Sequence, residues 1–136
     1  MPWKLSTEFT FDSAHVIEGY DGPCGRLHGH TYRVRMELES QRLRPSAHVR
    51  RDIMVADFKS LKWAKKDVEQ GGLDHMFLNE HPDLGGDTTA EVMAAFLHRE
   101  TMRRIRDTLD AGDSGDDLRL RVFLWETPES CCEYWE

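Results

Sequence analysis

The chain has 136 residues, of which 39% are hydrophobic and 32% are charged, and its formal net charge is −7. This length suits one domain with its own core, so we expect residues 1–136 to fold as a single unit. The negative charge argues against a nucleic acid as the main partner, because binding to phosphate backbones needs a basic surface. No apolar run approaches the roughly 20 residues that cross a bilayer, and the alternating N-terminus leaves no room for a signal peptide. Three cysteines do not make a disulfide framework, so a reducing cytoplasm is the expected compartment.

Two segments near the N-terminus alternate between apolar and polar side chains, which is the period of a half-buried strand. Residues 3–11 alternate first, and their apolar parity continues to His15. Residues 31–39 alternate next, and His28 and His30 share the parity of their apolar face. If the intervening segment connects an antiparallel hairpin, the three imidazoles lie at neighbouring strand ends and point to one face.

Three converging neutral imidazoles suit zinc, which takes nitrogen ligands tetrahedrally and keeps its fourth position open in a catalytic site. Solvated side chains are the alternative for His28 and His30 taken alone, and His15 in phase with them favours the metal site. Cys24 precedes His28 by four residues. It is a fourth zinc ligand, a reactive thiolate or a small buried residue, and spacing alone leaves these alternatives open.

The next part of the chain predicts a surface loop and a first helix. Residues 41–52 are polar and rich in arginine, which favours a solvated loop over an anion site. The arginines of this loop are Arg42, Arg44, Arg50 and Arg51. Asp57 then offers an N-cap, and the apolar spacing that follows it predicts a helix over residues 58–70.

A second helix is predicted from Thr88 or Thr89 toward Leu109, because apolar residues recur there at helical spacing. Thr88-x-x-Glu91 has the form of a capping box at the helix start. Residues 110–117 then combine acidic and turn-forming residues, which is typical of a mobile loop.

Strand alternation resumes over residues 118–124, and a hairpin at residues 128–130 leads to a last strand that ends at Trp135. The order ββααββ predicts an α+β fold, a four-stranded antiparallel sheet with two helices on one face. Cys131 and Cys132 are expected to be small apolar filler without chemistry. Three histidines match no motif and are expected at the surface: His48, His81 and His98.

Six short motifs occur in the order typical of one enzyme family. They span residues 11–15 (FDSAH), 24–30 (CGRLHGH), 54–58 (MVADF), 73–79 (LDHMFLN), 88–91 (TTAE) and 125–128 (WETP). Together they make the chain resemble the 6-pyruvoyl- and 6-carboxytetrahydropterin synthases over nearly its whole length. The resemblance implies the tunnelling fold, in which sheets from several subunits join edge to edge into a barrel. It therefore also implies a homo-oligomer, by resemblance a hexamer.

The resemblance further implies a zinc lyase that acts on 7,8-dihydroneopterin triphosphate, with His15, His28 and His30 as metal ligands. Cys24 is then expected to be the base that takes a carbon-bound proton, because a thiol near a dication is readily held as thiolate.

Four further residues acquire roles through the resemblance. Asp74 and His75 match the family's relay, in which the histidine exchanges a proton with the cysteine of a neighbouring subunit and the aspartate orients the imidazole. Glu126 is expected to anchor the pterin, whose ring N–H and exocyclic amine form a donor pair that one carboxylate accepts. Thr127 assists by hydrogen bonding. Glu91 resembles a glutamate near the family's pterin pocket, although helix capping explains the same residue.

The favoured product is 6-carboxytetrahydropterin, a precursor of 7-deazapurines such as queuosine, formed with release of acetaldehyde and triphosphate. The short spacing from Cys24 to His28 resembles the carboxy-forming branch. One alternative is 6-pyruvoyltetrahydropterin synthase, which eliminates triphosphate and keeps the carbon side chain. Another is a zinc-stabilised, pterin-binding oligomer without turnover, since fold and function separate readily.

Overall fold

The structure, a computed structural model, describes residues 2–136. Four antiparallel strands form one sheet in chain order. They are β1 (Trp3–His15), β2 (His28–Ser40), β3 (Arg119–Thr127) and β4 (Ser130–Trp135). The sheet and the helices on one of its faces confirm the predicted α+β architecture. The structure shows the sheet of one chain, which is open and not closed into a barrel.

The long helix is α2 (Ala90–Arg106), which packs on β3 and β4. It begins one residue later than the predicted capping box. Thr89 is the N-cap, and its side-chain oxygen accepts a hydrogen bond from the Val92 amide at 3.2 Å. The Thr88 side chain is buried and its hydroxyl donates to the Val16 carbonyl at 3.2 Å. The prediction of Thr88 and Glu91 as a capping pair is therefore wrong.

The helix predicted over residues 58–70 is also wrong. Only α1 (Phe58–Leu61) is helical, with Asp57 as its N-cap, and two 3₁₀ turns follow at Trp63–Lys65 and Val68–Gln70. The chain then folds back on itself, because the Leu73 amide donates to the Ala64 carbonyl at 2.9 Å. Gly72 permits this reversal, since a Cβ there would lie 1.9 Å from the Lys66 carbonyl oxygen.

The core lies between the inner face of the sheet and α2. Alternate residues of β1 and β2 supply it, as the period-two pattern predicts. The buried residues of these two strands include Phe9, Phe11, Tyr32, Val34, Met36 and Leu38. The opposite, outer face of the sheet carries ion pairs, such as the one between Arg35 Nε and Glu37 Oε2 at 2.8 Å. Within residues 2–136, no helix is long and apolar enough to cross a bilayer.

Arg44 and His98 correct two further expectations. Arg44 is 1% exposed and is not a solvated loop residue. Its guanidinium donates to Asp113 at 3.1 Å and to Asp117 at 2.6 Å. These bonds connect the loop of residues 110–117, which was predicted to be mobile, to the loop of residues 41–52. His98 is buried in α2, and its Nε2–H donates to the Leu120 carbonyl at 3.1 Å. His48 is exposed, as expected.

Candidate metal centre and active site

Three histidines converge where β1 ends and β2 begins. The strand register pairs His15 with His28 and Ser13 with His30. The Nε2 atom of His15 lies 2.9 Å from that of His28 and 3.1 Å from that of His30. Within residues 2–136, these three residues form the only group of three or more His, Cys, Asp or Glu side chains whose ligand atoms lie within 4.8 Å of one another.

The tautomers of two imidazoles are fixed by backbone carbonyls, which only accept hydrogen bonds. Nδ1–H of His15 donates to the Thr88 carbonyl at 2.9 Å, and Nδ1–H of His28 donates to the Arg26 carbonyl at 2.7 Å. In the neutral rings each Nε2 therefore carries a lone pair, and the lone pairs of His15 and His28 point toward each other. Burial lowers the pKa of His15 and of His30, which favours neutral rings.

Lone pairs that face one another repel unless a cation lies between them. A tetrahedral zinc ion with Zn–N bonds of about 2.0–2.1 Å would separate its nitrogen ligands by about 3.3 Å. The observed separations of 2.9 and 3.1 Å are close to this value. The donor set and its geometry therefore fit a zinc ion with three protein ligands, and the carbonyl partners supply the orienting hydrogen bonds typical of metal-bound histidine.

The side chain of Asn79 holds the segments on either side of the histidines. Its Oδ1 accepts from the Val16 amide at 2.8 Å, and its Nδ2 donates to the Val16 carbonyl at 2.7 Å and to the Gly86 carbonyl at 3.0 Å. Asn79 thus acts as a short strand partner for the residue after His15. It also holds the segment that ends in Thr88, whose carbonyl orients the His15 ring.

Asp74 and His75 form a hydrogen-bonded pair beside this centre. Asp74 Oδ2 accepts from His75 Nδ1–H at 2.7 Å, and Oδ1 accepts from the Asp12 amide at 2.8 Å. These two bonds lower the pKa of Asp74, and the bond that His75 donates to Asp74 raises the pKa of His75. His75 has a φ of 60°, a left-handed conformation that is uncommon outside glycine and often marks a functional position.

His75 of the pair and His30 of the metal centre share one groove. It encloses about 600 Å³, and His30 and His75 both line it, together with Asp12, Thr31 and Phe77. The His75 ring is exposed in this chain, so its Nε2 is free to meet a substrate or another subunit. The structure thus brings the predicted relay and one predicted ligand to a common surface.

Cys24 lies apart from the ligand group. It occupies a 3₁₀ turn, Pro23–Gly25, and it is half-buried. Cys24 belongs neither to the cluster of metal-ligand atoms nor to the residues that line the His75 groove. The turn is closely packed, because a Cβ on Gly25 would lie 2.3 Å from the Tyr20 carbonyl oxygen. Within one chain, the arrangement does not support Cys24 as a fourth ligand.

Glu126 lies near the metal centre at the end of β3. Its Oε2 is 3.9 Å from His30 Nε2, and its Oε1 is buried without a hydrogen-bond partner. Burial raises the pKa of Glu126 above its ordinary value. His28 partly opposes this increase, and the charge of Glu91 adds to it. One cleft of about 420 Å³ contains Glu126, Thr127 and Trp125, and a second of about 330 Å³ contains Glu126 and Glu91. Glu91 and Thr127 are both exposed.

Residues 4–136 match the sequence pattern of 6-pyruvoyl tetrahydropterin synthase. The chain belongs to this family. A Haemophilus influenzae relative named 6-carboxy-5,6,7,8-tetrahydropterin synthase is 32% identical over 153 residues, which cover 98% of this chain and 99% of the relative. A Bacillus subtilis relative of the same name is 30% identical, with 97% of this chain and 84% of the relative covered. The solved 6-pyruvoyl tetrahydropterin synthase of Caenorhabditis elegans shares the fold with a TM-score of 0.66 at 20% identity, covering 100% of this chain and 96% of that one.

Sequence reasoning missed three contributors to the site of this tetrahydropterin synthase family member. The Thr88 carbonyl fixes the His15 tautomer, but a backbone group leaves no sequence signal. Asn79 is the last residue of the motif at residues 73–79. A polar side chain directly after an apolar run was the sequence signal that could have indicated its role. Tyr32 is fully buried against His15 and His30. It lies on the apolar face of β2, so the sequence pattern predicted a core residue and gave no sign that its hydroxyl is near the site.

Proposed function

We propose that this protein is a zinc-dependent 6-carboxytetrahydropterin synthase that converts 7,8-dihydroneopterin triphosphate to 6-carboxy-5,6,7,8-tetrahydropterin, acetaldehyde and triphosphate. The observation that carries the proposal is the convergence of the Nε2 atoms of three histidines, one of which, His30, lines the same groove as His75. Membership of the family and the names of the two bacterial relatives support the reaction class. We further propose that the single domain works in the cytoplasm and that its product serves 7-deazapurine formation.

The residues take separate roles in this proposal. Zinc bound by His15, His28 and His30 would supply Lewis acidity toward the side-chain hydroxyls of the substrate. His75 carries a proton on its exposed ring, and Asp74 fixes the orientation of that ring. The hydrogen bond that His75 donates to Asp74 raises the pKa of His75, which suits a group that accepts a proton near neutral pH.

Cys24 is proposed as the base that removes a carbon-bound proton, and we propose that it meets His75 of another subunit. Cys24 does not line the groove of His75 in its own chain. Exposed apolar side chains flank Cys24 on both sides, with Tyr20 53% and Leu27 68% exposed. Strand β4 and most of β1 each leave one edge unpaired, and edge-to-edge assembly would cover both. A homo-oligomer, by family resemblance a hexamer, follows from this proposal.

Subunit mixing tests this shared site. Cys24→Ala and His75→Asn proteins should each be inactive, because each lacks one member of every site. If the two residues come from different chains, co-refolding equal amounts restores activity in about one site in four. No recovery, from variants that form the same oligomer as wild type, would place both residues in one chain or exclude one of them.

Glu126 is proposed as the pterin anchor. Its side chain is half-buried, and its buried Oε1 has no hydrogen-bond partner, so the carboxylate can accept both donors of the pterin edge. Thr127 and Glu91 lie in the clefts on either side and are proposed to contact the bound pterin. Glu126→Gln places an N–H against the pterin donors, and a loss of about 2 kcal/mol in binding is expected for a buried site.

Product analysis decides the reaction. Purified protein is incubated with 7,8-dihydroneopterin triphosphate, and acetaldehyde, triphosphate and the pterin mass are measured together, with Cys24→Ala protein as the matched control. Acetaldehyde should appear in step with triphosphate. Triphosphate without acetaldehyde, and a pterin that keeps three side-chain carbons, would assign 6-pyruvoyltetrahydropterin synthase. Pterin binding without either product would assign a binding protein.

A further inference from the structure

Two buried polar atoms without a hydrogen-bond partner belong to residues that lie next to His30. Among residues 2–136, the buried side-chain nitrogen and oxygen atoms without a hydrogen-bond partner are Tyr32 Oη, Glu126 Oε1 and Arg44 Nε. Tyr32 is 0% exposed. A buried polar atom without a partner costs about 1–3 kcal/mol, so such atoms are rare and require an explanation. Because Tyr32 Oη and Glu126 Oε1 belong to the same site, we look for one hydrogen-bonding arrangement that satisfies both atoms.

Both residues lie beside His30. The Tyr32 ring and the His30 ring have centroids 5.3 Å apart, and Glu126 Oε2 is 3.9 Å from His30 Nε2. In the sheet they come directly before and after the last pair between β2 and β3, which is Arg33 with Trp125. Tyr32 Oη and Glu126 Oε1 are not hydrogen-bonded to each other directly, so a hydrogen-bonded link between them requires an intervening water.

The phenol ring is held in place by its neighbours. It stacks on Phe11 with ring centroids 4.9 Å apart, and it meets the rings of His15 and His30 edge-on at 6.0 and 5.3 Å. The hydroxyl therefore has little freedom to turn toward another partner. Glu126 Oε2 faces His30, which leaves Oε1 as the oxygen available to the hydroxyl.

We propose that Tyr32 is a positioning residue for Glu126, to whose Oε1 its hydroxyl delivers a hydrogen bond through a single bridging water. A carboxylate oxygen has two lone pairs, so Oε1 accepts this bond and still accepts one donor of the pterin. The plane of the carboxylate is thereby fixed for bidentate recognition. This inference rests on the proposed role of Glu126 as the pterin anchor.

The test is Tyr32→Phe in the zinc-loaded protein, with 7,8-dihydroneopterin as the binding probe and calorimetry as the readout. The substitution keeps the ring and its stacking and removes only the hydroxyl. Loss of one hydrogen bond to a charged group should raise Kd about tenfold. KM for the triphosphate substrate should rise similarly while kcat, zinc content and Tm stay near wild type, which a general structural defect would not produce. The matched control is Tyr134→Phe, whose hydroxyl donates to exposed Glu136 at 2.9 Å, and its Kd should not change.

A double-mutant cycle separates this role from a direct one. If Tyr32 acts through Glu126, adding Tyr32→Phe to Glu126→Gln should cause little further loss of binding. Additive losses would overturn the proposal, because they would mean that Tyr32 acts independently. An unchanged Kd in Tyr32→Phe, alongside impaired Glu126→Gln, would overturn it while the proposed function stands. Absence of pterin binding by the wild-type protein would overturn both.

Discussion

Replacing Asp117 by Asn is expected to lower the free energy of unfolding by about 2.5 kcal/mol at pH 7 and by little at pH 2. Burial raises the pKa of Asp117, but hydrogen bonds from Arg44, Ser40 and the Gln41 amide outweigh it and lower the pKa from 3.8 to about 2. Each pKa unit corresponds to about 1.36 kcal/mol, so a shift of about 1.8 units gives about 2.5 kcal/mol.

The sign of the pH dependence follows from the depressed pKa. The contribution of Asp117 to the free energy of unfolding is fully present at pH values above the ordinary aspartate pKa of 3.8. It is lost as the pH falls through about 2. The difference between wild type and Asp117→Asn should therefore shrink steadily between pH 4 and pH 2. Denaturant unfolding at several pH values and one fixed protein concentration measures this difference.

Asp116→Asn is the matched control for this experiment. Asp116 is exposed in the same loop and its carboxylate has no ion pair within the described part of the chain, so its replacement should have little effect at any pH. A difference for Asp117→Asn that is equally large at pH 2 and pH 7 would refute the electrostatic argument. It would mean that Asp117 stabilises the loop through packing or neutral hydrogen bonds.

Three further predictions concern the site. His28→Ala should lose most of about one zinc per chain and leave the circular dichroism of the sheet intact, whereas His48→Ala, which changes an exposed histidine, should keep its metal. Cys24→Ala should abolish turnover with its zinc content unchanged, since Cys24 lies outside the ligand cluster. Asp74→Asn should lower the pKa of His75 toward its ordinary value, measured by NMR titration of the ring, because the hydrogen bond to the Asp74 carboxylate is the main cause of the elevated pKa.

Each of these outcomes has a clear opposite. Unchanged zinc in His28→Ala would remove His28 from the ligand set. Parallel loss of zinc and activity in Cys24→Ala would make the thiol a ligand. A His75 titration that is identical in wild type and Asp74→Asn would show that the hydrogen bond does not persist in solution.

The strands and the meeting point of the histidines could be predicted because both follow from local periodicity. Alternation with period two fixes which side of a strand a residue occupies, and a hairpin then fixes which residues lie opposite. His15, His28 and His30 are thus brought together by two strands that are close in sequence. The tautomer of His15 was beyond prediction, since the carbonyl that orients its ring comes from Thr88, far along the chain.

The errors share a different origin. Apolar residues after Asp57 recur at helical spacing, but the same spacing occurs in successive tight turns, and the return of the chain at Gly72 depends on a backbone contact with Lys66. Arg44 looked like a surface residue because its partners, Asp113 and Asp117, are distant in sequence. Composition alone cannot show that such charges are buried together.

Asn79 has a consequence for how this scaffold tolerates change. Through its bond to the Gly86 carbonyl, it closes the excursion of chain at residues 80–85 at the point where that excursion leaves and rejoins the site. The two ends of this excursion are therefore fixed independently of what lies between them. Evolution or a protein engineer can lengthen, shorten or rewrite this excursion while the metal-binding frame keeps its shape.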